Sequence, residues 1–379
     1  MSQAAVALED GTILEGQGFG ASTDAVFELV FNTSMTGYQE ILTDPSYRGQ
    51  GVLFTVSHIG NVGINREDDE SLIPQVSAAL VREVSPVVSN WRSAQSLPEW
   101  LEQRSVPGIS GIDTRYITRK LRDQGTMKAA LSTRGTPGAD LVEMARAWPG
   151  LDGRDMVQEV TPPESSPWIG DAGGQWVPNR VDQAGASAPH VVLFDYGAKR
   201  NILRHLASFG LRVTVVPAYT TCAEAMTLRP DAFMLSNGPG DPAGLPRIVN
   251  EVRELINSGL PIFGICLGHQ LIGRALGGDT IKLKFGHHSG NHPVQDLHTG
   301  KVQITAQNHN YAVAPDSLDL EAVEITHISL NDRTLEGMRL KKRPVFSVQY
   351  HPEAAPGPHD AQGLFEQFNA LIRASKTSR

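Results

Sequence analysis

The chain has 379 residues, of which 40% are hydrophobic and 20% are charged, as is typical of a water-soluble protein with more than one domain. Its formal net charge of −8 argues against a general nucleic-acid-binding protein, because such proteins present a basic surface. The apolar runs are too short to cross a bilayer, and the N-terminus does not resemble a secretory signal. Only two cysteines are present. Together these features predict a cytoplasmic protein without membrane contact or disulfides.

The first 150 residues are predicted to form an α+β domain. Val26–Phe31 and Val52–Val56 have the composition of strands, whereas Trp100–Gln103 and Ile117–Gln124 have the spacing of helices. Glycines are frequent in the first part of this region, which indicates many tight turns. We therefore expect a turn-rich N-terminal domain over residues 1–150.

A segment with little periodicity follows this domain. Residues 161–189 are rich in proline, serine, glycine and alanine, a composition that is common in linkers. The sequence therefore predicts a linker or interdomain crossover over residues 151–189 and a second domain over residues 190–379.

The second domain begins with alternating strand and helix patterns. The predicted strands are His190–Phe194, Val213–Val216, Ala232–Ser236 and Pro261–Ile265. The predicted helices are Lys199–Ser208, Ala223–Leu228, Arg247–Asn257 and Leu267–Leu276. Such alternation predicts βαβ units, and hence an α/β fold with an open, mostly parallel sheet flanked by helices. Strand-like segments then follow at Val302–Ala306, Glu321–Leu330 and Val345–Tyr350, before a helix near Ala361–Ala374.

Cys266 stands where a predicted buried strand meets a predicted helix. Its neighbours Gly264 and Gly268 suit a tight strand-to-helix turn, since a side chain at either position would collide. The N-terminus of a helix also favours a thiolate, through its partial positive charge and free amide hydrogens. A buried structural cysteine is the usual alternative, and we interpret Cys222 in that way. Taken alone, Cys266 leaves this alternative open.

A second chemical signal follows the apolar run that ends at Val348. His351 and Glu353 come at the carboxyl end of a predicted strand, where open α/β sheets place their active sites. Residues two apart in extended backbone point the same way, so the two side chains are expected to project together. Glu353 would then orient His351 as the third member of a catalytic triad does. A strand-end histidine beside an exposed glutamate is the alternative, although its combination with Cys266 is difficult to obtain by accident.

These segments, together with the loop Asn237–Pro242, resemble the class I glutamine amidotransferase family. The resemblance implies that the cysteine, the histidine and the glutamate just described form a triad. That triad hydrolyses the side-chain amide of glutamine through a glutamyl thioester. The resemblance also implies that the backbone amides of Leu267 and Gly240 form the oxyanion hole.

Further motifs resemble the small subunits of carbamoyl phosphate synthetases. They are Phe31–Glu40, Leu42–Tyr47, Gly111–Arg115, Gly153–Asp155, Asp195–Gly197, Lys284–His287 and Pro352–Asp360. This resemblance implies a glutaminase subunit that passes ammonia through a tunnel to a separate large subunit, in a heterodimer or higher assembly. The large subunit would make carbamoyl phosphate from bicarbonate and ATP, for arginine and pyrimidine biosynthesis. The resemblance implies no cofactor on this chain and places ATP and Mg²⁺ on the large subunit.

The same resemblance implies how L-glutamine is held. The residues at matching positions are Ser46, Gly238, Gly240, Leu267, Gln270, Asn308, Asn310 and Tyr311. Ser46 is expected to reach the substrate from the N-terminal domain. The family commonly has Gly and Phe where this chain has Asn310 and Tyr311. Asparagine tolerates positive φ and tyrosine keeps the aromatic ring, so both stay binding candidates.

Two other patterns are not interpreted as sites. His287, His288 and His292 lack a neighbouring cysteine or carboxylate and do not have zinc-site spacing, so no metal is predicted. Gly238–Gly240 lacks the lysine of a phosphate-binding loop, so no nucleotide is predicted on this chain. The alternative functions are the amidotransferase component of another synthase and a catalytically inactive scaffold. The N-terminal motifs argue against the first, and the complete Cys-His-Glu set argues against the second.

Overall fold

The computed structural model describes residues 3–170, 185 and 187–377. The chain divides into two compact units, one with residues 1–152 and 284–289 and the other with residues 153–283 and 290–379. Among the helices that are described, none combines the length and the apolar character needed to span a bilayer.

The first unit contains a closed barrel of seven strands. They are β1 (Gln3–Leu8), β2 (Ile13–Gly20), β3 (Asp24–Asn32), β4 (Gln50–Phe54), β5 (Ala78–Leu80), β6 (Pro107–Ser110) and β7 (Met127–Ser132). Their order is β1-β2-β6-β5-β4-β3-β7, and β3, β4, β5 and β6 pair in parallel while the other pairs are antiparallel. The helices of this unit are α1 (Tyr38–Thr43), α2 (Leu97–Gln103), α3 (Thr114–Gln124) and α4 (Gly138–Ala147).

Apolar side chains fill the first unit on both sides of the barrel wall. Phe27 and Leu29 on β3 and Leu53 on β4 belong to one cluster and are fully buried. Gly51 is needed beside them, because a Cβ at that position would lie 2.3 Å from the Phe27 ring. Helix α4 covers another face of β1 and β7, where Leu141 is fully buried. The core therefore depends on close approach between neighbouring strands.

The sequence pattern finds only part of this unit. The strand predicted at Val26–Phe31 lies inside β3, whereas the one predicted at Val52–Val56 is displaced from β4 by two residues. The helices predicted at Trp100–Gln103 and Ile117–Gln124 are the later parts of α2 and α3. The pattern misses the remaining strands, because short runs of small residues such as those of β5 and β6 carry a weak strand signal.

The second unit is built on a ten-stranded sheet of order β14-β13-β15-β16-β17-β12-β11-β9-β10-β8. The strands are β8 (Ser166–Pro167), β9 (His190–Asp195), β10 (Arg212–Pro217), β11 (Ala232–Leu235), β12 (Ile262–Ile265), β13 (Thr280–Asp296), β14 (Val302–Val313), β15 (Val323–Ser329), β16 (Leu335–Leu340) and β17 (Val345–Val348). The helices are α5 (Arg200–Ser208), α6 (Cys222–Thr227), α7 (Pro246–Asn257), α8 (Leu267–Ala275) and α9 (Gly363–Thr377). The helices predicted in this region are therefore present, with bounds shifted by a few residues.

The sheet is parallel only in its centre. Strands β10, β9, β11, β12 and β17 pair in parallel, whereas β8, β16, β15 and β13 join by antiparallel pairing. The prediction of a mostly parallel sheet therefore holds for the central strands, including β17, and not for β13, β15 and β16. There β15, β16 and β17 are joined by short turns, which permit antiparallel hairpins and leave no room for a crossover helix.

Both faces of the central sheet are covered. Val192 and Phe194 of β9 pack in a cluster with α6, α7 and α8, whereas Val191 and Leu193 pack in a cluster with α5 and α9. Successive strand residues point to opposite faces, so a continuous apolar run is what a doubly covered strand requires. This arrangement fixes the carboxyl ends of β9, β11, β12 and β17 at one edge.

The predicted linker, residues 151–189, is structured where it is described. The short 3₁₀ helix Val157–Glu159 places Val157 in the core of the second unit, and β8 pairs with β10. Residues 153–168 therefore pack as part of that unit. Residues 171–184 and 186, which also fall in the predicted linker, lie outside the described residues.

Candidate active site

Cys266 occupies the sharp turn between β12 and α8. Its φ of 52° and ψ of −104° form a conformation that residues other than glycine rarely adopt. Such strain costs roughly 1–3 kcal/mol and persists only where the surrounding structure enforces it. The amide of Cys266 donates to the carbonyl oxygen of Val348 at 2.9 Å, which fixes the turn to the end of β17. The backbone therefore makes the strand-to-helix turn that the sequence predicts.

The glycines that flank Cys266 are required by close packing. A Cβ on Gly264 would lie 2.7 Å from Cδ1 of Ile272, and one on Gly268 would lie 2.3 Å from the carbonyl oxygen of Leu235. Both distances are too short for non-bonded carbon contacts, so a side chain at either position would push α8 away from the sheet. The small residues in this motif thus have the steric role that the sequence suggests.

The sulfur of Cys266 lies between a hydrogen-bond donor and an acceptor. Only 2% of the residue is exposed. Its Sγ lies 3.7 Å from Nε2 of Gln349, which donates toward it, and 3.6 Å from the backbone oxygen of Asn308, which accepts from the thiol.

His351 and Glu353 project together just beyond β17. Nδ1 of His351 lies 2.7 Å from Oε1 of Glu353, and the two residues are 2% and 0% exposed. The amide of His351 donates to the carbonyl oxygen of Ala306 at 2.9 Å, which ties this segment to β14. Nε2 of His351 has no hydrogen-bond partner among the described residues. The ring edge that faces away from Glu353 is therefore available for proton transfer.

Lys199 binds Glu353 as well. Its Nζ lies 2.9 Å from Oε1 of Glu353 and donates to the carbonyl oxygen of Ala354 at 2.6 Å. Burial alone would raise the pKa of Glu353, but the positive charges of Lys199 and His351 outweigh burial and lower that pKa to about 2. The Glu353 carboxylate therefore stays ionised at neutral pH although it is buried.

The ionised Glu353 carboxylate keeps His351 protonated. Burial opposes the imidazolium, but Glu353 outweighs burial and raises the pKa of His351 to about 10. Lys199 lowers this pKa and the nearby Cys266 raises it. A cationic imidazole beside a cysteine is the environment that favours a thiolate. The geometry therefore places a positively charged imidazole near the Cys266 sulfur.

A glycine-rich loop, residues 237–241, lies beside the N-terminus of α8. A Cβ on Gly238 would lie 2.8 Å from Cδ2 of Leu267 and 2.3 Å from the carbonyl oxygen of Tyr196. Gly240 has a φ of 88°, which glycine adopts without strain. Within the described parts of the chain, the amide hydrogens of Gly240 and Leu267 have no acceptor. Two amide donors next to a helix N-terminus are suited to bind an anion.

Three of the predicted glutamine-binding residues connect to Cys266 through short contacts. Asn308 reaches its sulfur through the backbone oxygen. Nε2 of Gln270 donates to the backbone oxygen of Tyr311 at 2.7 Å and to Oε1 of Gln349 at 3.1 Å. Gln349 in turn contacts the sulfur, so the side chains of Gln270 and Gln349 and the backbone oxygens of Asn308 and Tyr311 form one polar wall beside Cys266.

Asn310 and Ser46 differ from this group. Asn310 lies within β14 and is not among the residues with positive φ, so it does not reproduce a glycine-like backbone there. Ser46 belongs to the first unit, in the 3₁₀ turn Pro45–Tyr47, where its amide donates to Oδ1 of Asp44 at 2.9 Å. Its contact with glutamine stays a prediction.

Sequence reasoning missed Lys199, Gln349 and Asn201 as parts of this network. Gln349 carried a usable signal, because it precedes His351 by two positions and the same alternation that pairs His351 with Glu353 applies to it. Nδ2 of Asn201 donates to the backbone oxygen of Glu353. Lys199 and Asn201 lie about 150 residues earlier in the chain than Glu353 and Ala354. No local sequence pattern predicts a contact across that separation.

Two family models match the chain. Residues 6–131 match the model described as carbamoyl-phosphate synthase small chain, CPSase domain, and residues 192–371 match glutamine amidotransferase class-I. The chain is 52% identical to the carbamoyl phosphate synthase small chain of Akkermansia muciniphila, over 99% of this chain and 98% of the relative. It is 50% identical to the protein of the same name from Nostoc sp., over 98% and 96% of the two chains. It is 48% identical to the chloroplastic protein of rice, over 99% of this chain and 83% of the relative.

Proposed function

Because the chain belongs to the carbamoyl phosphate synthase small chain family, we propose that it hydrolyses L-glutamine and supplies ammonia to a large chain. It combines the N-terminal domain of that family with a class I amidotransferase domain. The observation that carries the proposal is the strained Cys266 beside the buried pair of His351 and Glu353. This arrangement supports covalent catalysis by a thiolate with a histidine that moves protons.

In the first step, the Cys266 thiolate attacks the side-chain amide carbon of glutamine. The carbonyl oxygen becomes negative and accepts hydrogen bonds from the amides of Leu267 and Gly240. The His351 imidazolium then gives its Nε2 proton to the departing nitrogen, the carbon–nitrogen bond breaks, and ammonia leaves. A pKa of about 10 for His351 means that this proton is present at neutral pH.

In the second step, the glutamyl thioester is hydrolysed. Formation of the thioester removes the thiolate charge, and His351 has given up its proton, so the imidazole is now a base. It takes a proton from water through Nε2, and the resulting hydroxide attacks the thioester carbon. The carbon–sulfur bond breaks, glutamate is released, and the original imidazolium–thiolate pair is restored. Glu353 and Lys199 keep the ring oriented through both steps.

Glutamine is proposed to bind against Gly238, Gly240, Leu267, Gln270, Asn308, Asn310 and Tyr311, with Ser46 contributed by the N-terminal domain. The contacts of Gln270 and Asn308 around Cys266 support this assignment. The backbone of Asn310 supports it least, because that residue lies in an extended strand.

The large chain is proposed to carry the ATP-dependent chemistry. The sequence has no phosphate-binding loop signature, so ATP and Mg²⁺ are assigned to the large chain, and no metal or cofactor is assigned to this one. Ammonia is mostly protonated in water at neutral pH and is then not nucleophilic, which supports delivery through a sheltered path. A heterodimer or a higher assembly in the cytoplasm is the proposed working form, and its product would serve arginine and pyrimidine biosynthesis.

The proposal is tested by replacing the nucleophile. Cys266→Ser is expected to abolish glutamine-dependent carbamoyl phosphate synthesis by the complex and to leave ammonia-dependent synthesis intact. The reason is that the thiolate is needed only to release ammonia. Cys222→Ser is the matched control, because the second cysteine is a partly exposed residue of α6, and both activities should persist in that variant. Loss of both activities in a folded, assembled Cys266→Ser complex would contradict this division of labour.

A further inference from the structure

The glycine-rich loop does not stand alone beside Cys266. Residues 153–157 of the same unit run against it, and we call this segment the buttress. The Met156 side chain packs on Gly240, since a Cβ at Gly240 would lie 3.1 Å from both Cβ and Cγ of Met156. Gly244 is similarly close, because a Cβ there would lie 2.8 Å from the carbonyl oxygen of Gly153. The buttress therefore contacts the loop at Gly240 and the chain just beyond the loop at Gly244.

Asp241 joins the loop and the buttress with one carboxylate. Its Oδ2 accepts from the amide of Gly153 at 3.0 Å, and its Oδ1 accepts from the amide of Ala243 at 2.8 Å. The residue is 9% exposed, so the two bonds are largely shielded from water. Asp241 follows Gly240 directly, so both bonds restrict the residue next to the one that carries the Gly240 amide.

The buttress is itself anchored. Oη of Tyr219 donates to Oδ2 of Asp155, and Oδ1 of Asp155 accepts from the amide of Val157 at 3.1 Å. Val157 is fully buried in the core of the second unit. The guanidinium of Arg247 lies 5.5 Å from the centre of the Tyr219 ring. Side-chain contacts from β10–α6 and α7 thus hold the buttress in place.

We propose that Asp241 and the buttress are positioning elements that hold the Gly240 amide where the oxyanion of the reaction forms. The inference rests on the proposed glutaminase function. Gly240 lacks a side chain and rotates easily, whereas a donor lowers a barrier only if it is already aimed at the developing charge. Loosening the loop should therefore weaken binding of the transition state more than binding of glutamine.

Asp241→Asn tests the link directly. The asparagine keeps one oxygen for the local bond to Ala243 but presents an NH₂ group to the Gly153 amide, which removes the bond to the buttress. The matched control is Asp319→Asn, because Oδ1 of Asp319 makes the same local bond to the amide two residues ahead, at 2.9 Å, on an exposed turn. In the assembled enzyme, Asp241→Asn should lower glutaminase kcat by about tenfold to a hundredfold, as small misplacements of catalytic groups do. Its KM should change by less than about threefold, and the control should match the unaltered protein.

Two further measurements separate positioning from simple loss of structure. Tyr219→Phe removes only the hydroxyl that holds Asp155. It should lower kcat, as Asp241→Asn does, and leave the midpoint of thermal unfolding unchanged. The aldehyde analogue of glutamine forms a tetrahedral adduct with the Cys266 thiol, and its affinity should fall by the same factor as kcat/KM, while the affinity for glutamate stays constant.

Each outcome bears on the inference. Folded Asp241→Asn and Tyr219→Phe proteins that keep kcat within twofold of the unaltered protein would overturn it. A rise in KM at constant kcat would also overturn it, because the loop would then act in ground-state binding. Failure of the unaltered enzyme to hydrolyse glutamine would instead count against the proposed function.

Discussion

Each unit contains a network of charged side chains, and the two networks differ mainly in burial. In the second unit, Lys199 and Glu353 approach to 2.9 Å with side chains that are 3% and 0% exposed. In the first unit, Arg92 and Asp68 approach to 2.8 Å, but their side chains are 22% and 21% exposed. Water partly screens the Arg92–Asp68 pair, which is only half-buried, whereas the low dielectric of the interior strengthens the fully buried one. Two ion pairs with nearly equal distances thus differ in the strength of their electrostatic interaction.

The difference indicates which network is suited to chemistry. The buried carboxylate of Glu353 raises the pKa of His351 to about 10, and that shift places a proton next to Cys266. The half-buried Arg92–Asp68 pair connects loop residues instead, since Nη1 of Arg92 also reaches Glu67 at 3.3 Å and Asp68 accepts from Nδ2 of Asn65. Burial, more than the number of ionic contacts, distinguishes a catalytic network from a structural one.

The largest expected effect comes from removing the proton carrier of the buried network. His351→Asn should lower glutamine turnover by about 10²- to 10⁴-fold, the range typical of general acid–base groups, with little change in glutamine binding. Single-turnover hydrolysis and equilibrium binding of glutamine measure the two effects separately. His298→Asn, on an exposed turn, is the control and should behave as the unaltered protein does. Turnover close to normal in His351→Asn would mean that another group moves the proton.

The next effect tests whether burial gives Glu353 its influence. Glu353→Gln keeps the side-chain shape and removes the charge, so burial then dominates and the pKa of His351 falls from about 10. We expect the basic limb of kcat/KM against pH to move to lower pH and the rate at neutral pH to fall by at least about tenfold. An unchanged basic limb would show that Glu353 does not control the protonation of His351.

Stability in acid should change in the same variant. The pKa of Glu353 is lowered from 4.5 to about 2 in the folded protein, so its ionisation stabilises the fold above about pH 4.5. That contribution is lost as the pH falls through about 2. Urea unfolding at several pH values should show a smaller acid-dependent loss for Glu353→Gln than for the unaltered protein. The substitution leaves the Lys199 charge buried without its carboxylate, which itself destabilises the fold. The comparison therefore uses only Glu353→Gln protein that is folded before urea is added.

The smallest effect is expected in the half-buried network around Arg92. Arg92→Met should reduce the free energy of unfolding by no more than about 1 kcal/mol, and less at high salt, while glutaminase activity stays unchanged. Lys199→Met makes a comparable change in the buried network and should cost about 3–5 kcal/mol. Chemical denaturation of the two variants side by side measures the contrast. Equal losses in both would show that burial does not separate the networks.

Local patterns predicted the parts of the active site that lie close together in sequence. The turn at Cys266 was foreseeable because Gly264 and Gly268 flank it and a strand–helix change of periodicity surrounds it. The pairing of His351 with Glu353 followed from the two-residue repeat of extended backbone. Both features depend on a few neighbouring residues, which is the range over which sequence patterns are informative.

Long-range pairing accounts for what the sequence did not reveal. Closure of the barrel depends on contacts such as Ala5 with Ser132, between strands more than a hundred residues apart. The same holds for Lys199 with Glu353 and for Gly153 with Asp241. The sequence indicated strands near β14 and β15 but missed β13, which carries many polar residues and resembles a loop, and β16, which is short and contains Glu336, Gly337 and Arg339. Burial of these residues is decided by tertiary packing and not by local propensity.

The strained backbone of Cys266 creates a trade-off between stability and activity during evolution. Glycine is the residue that relaxes most readily into a φ of 52° and a ψ of −104°. A change to glycine at this position would relieve strain of roughly 1–3 kcal/mol while removing the nucleophile. Mutation toward a more stable fold therefore leads away from catalysis here, and only continued selection for ammonia production retains the cysteine.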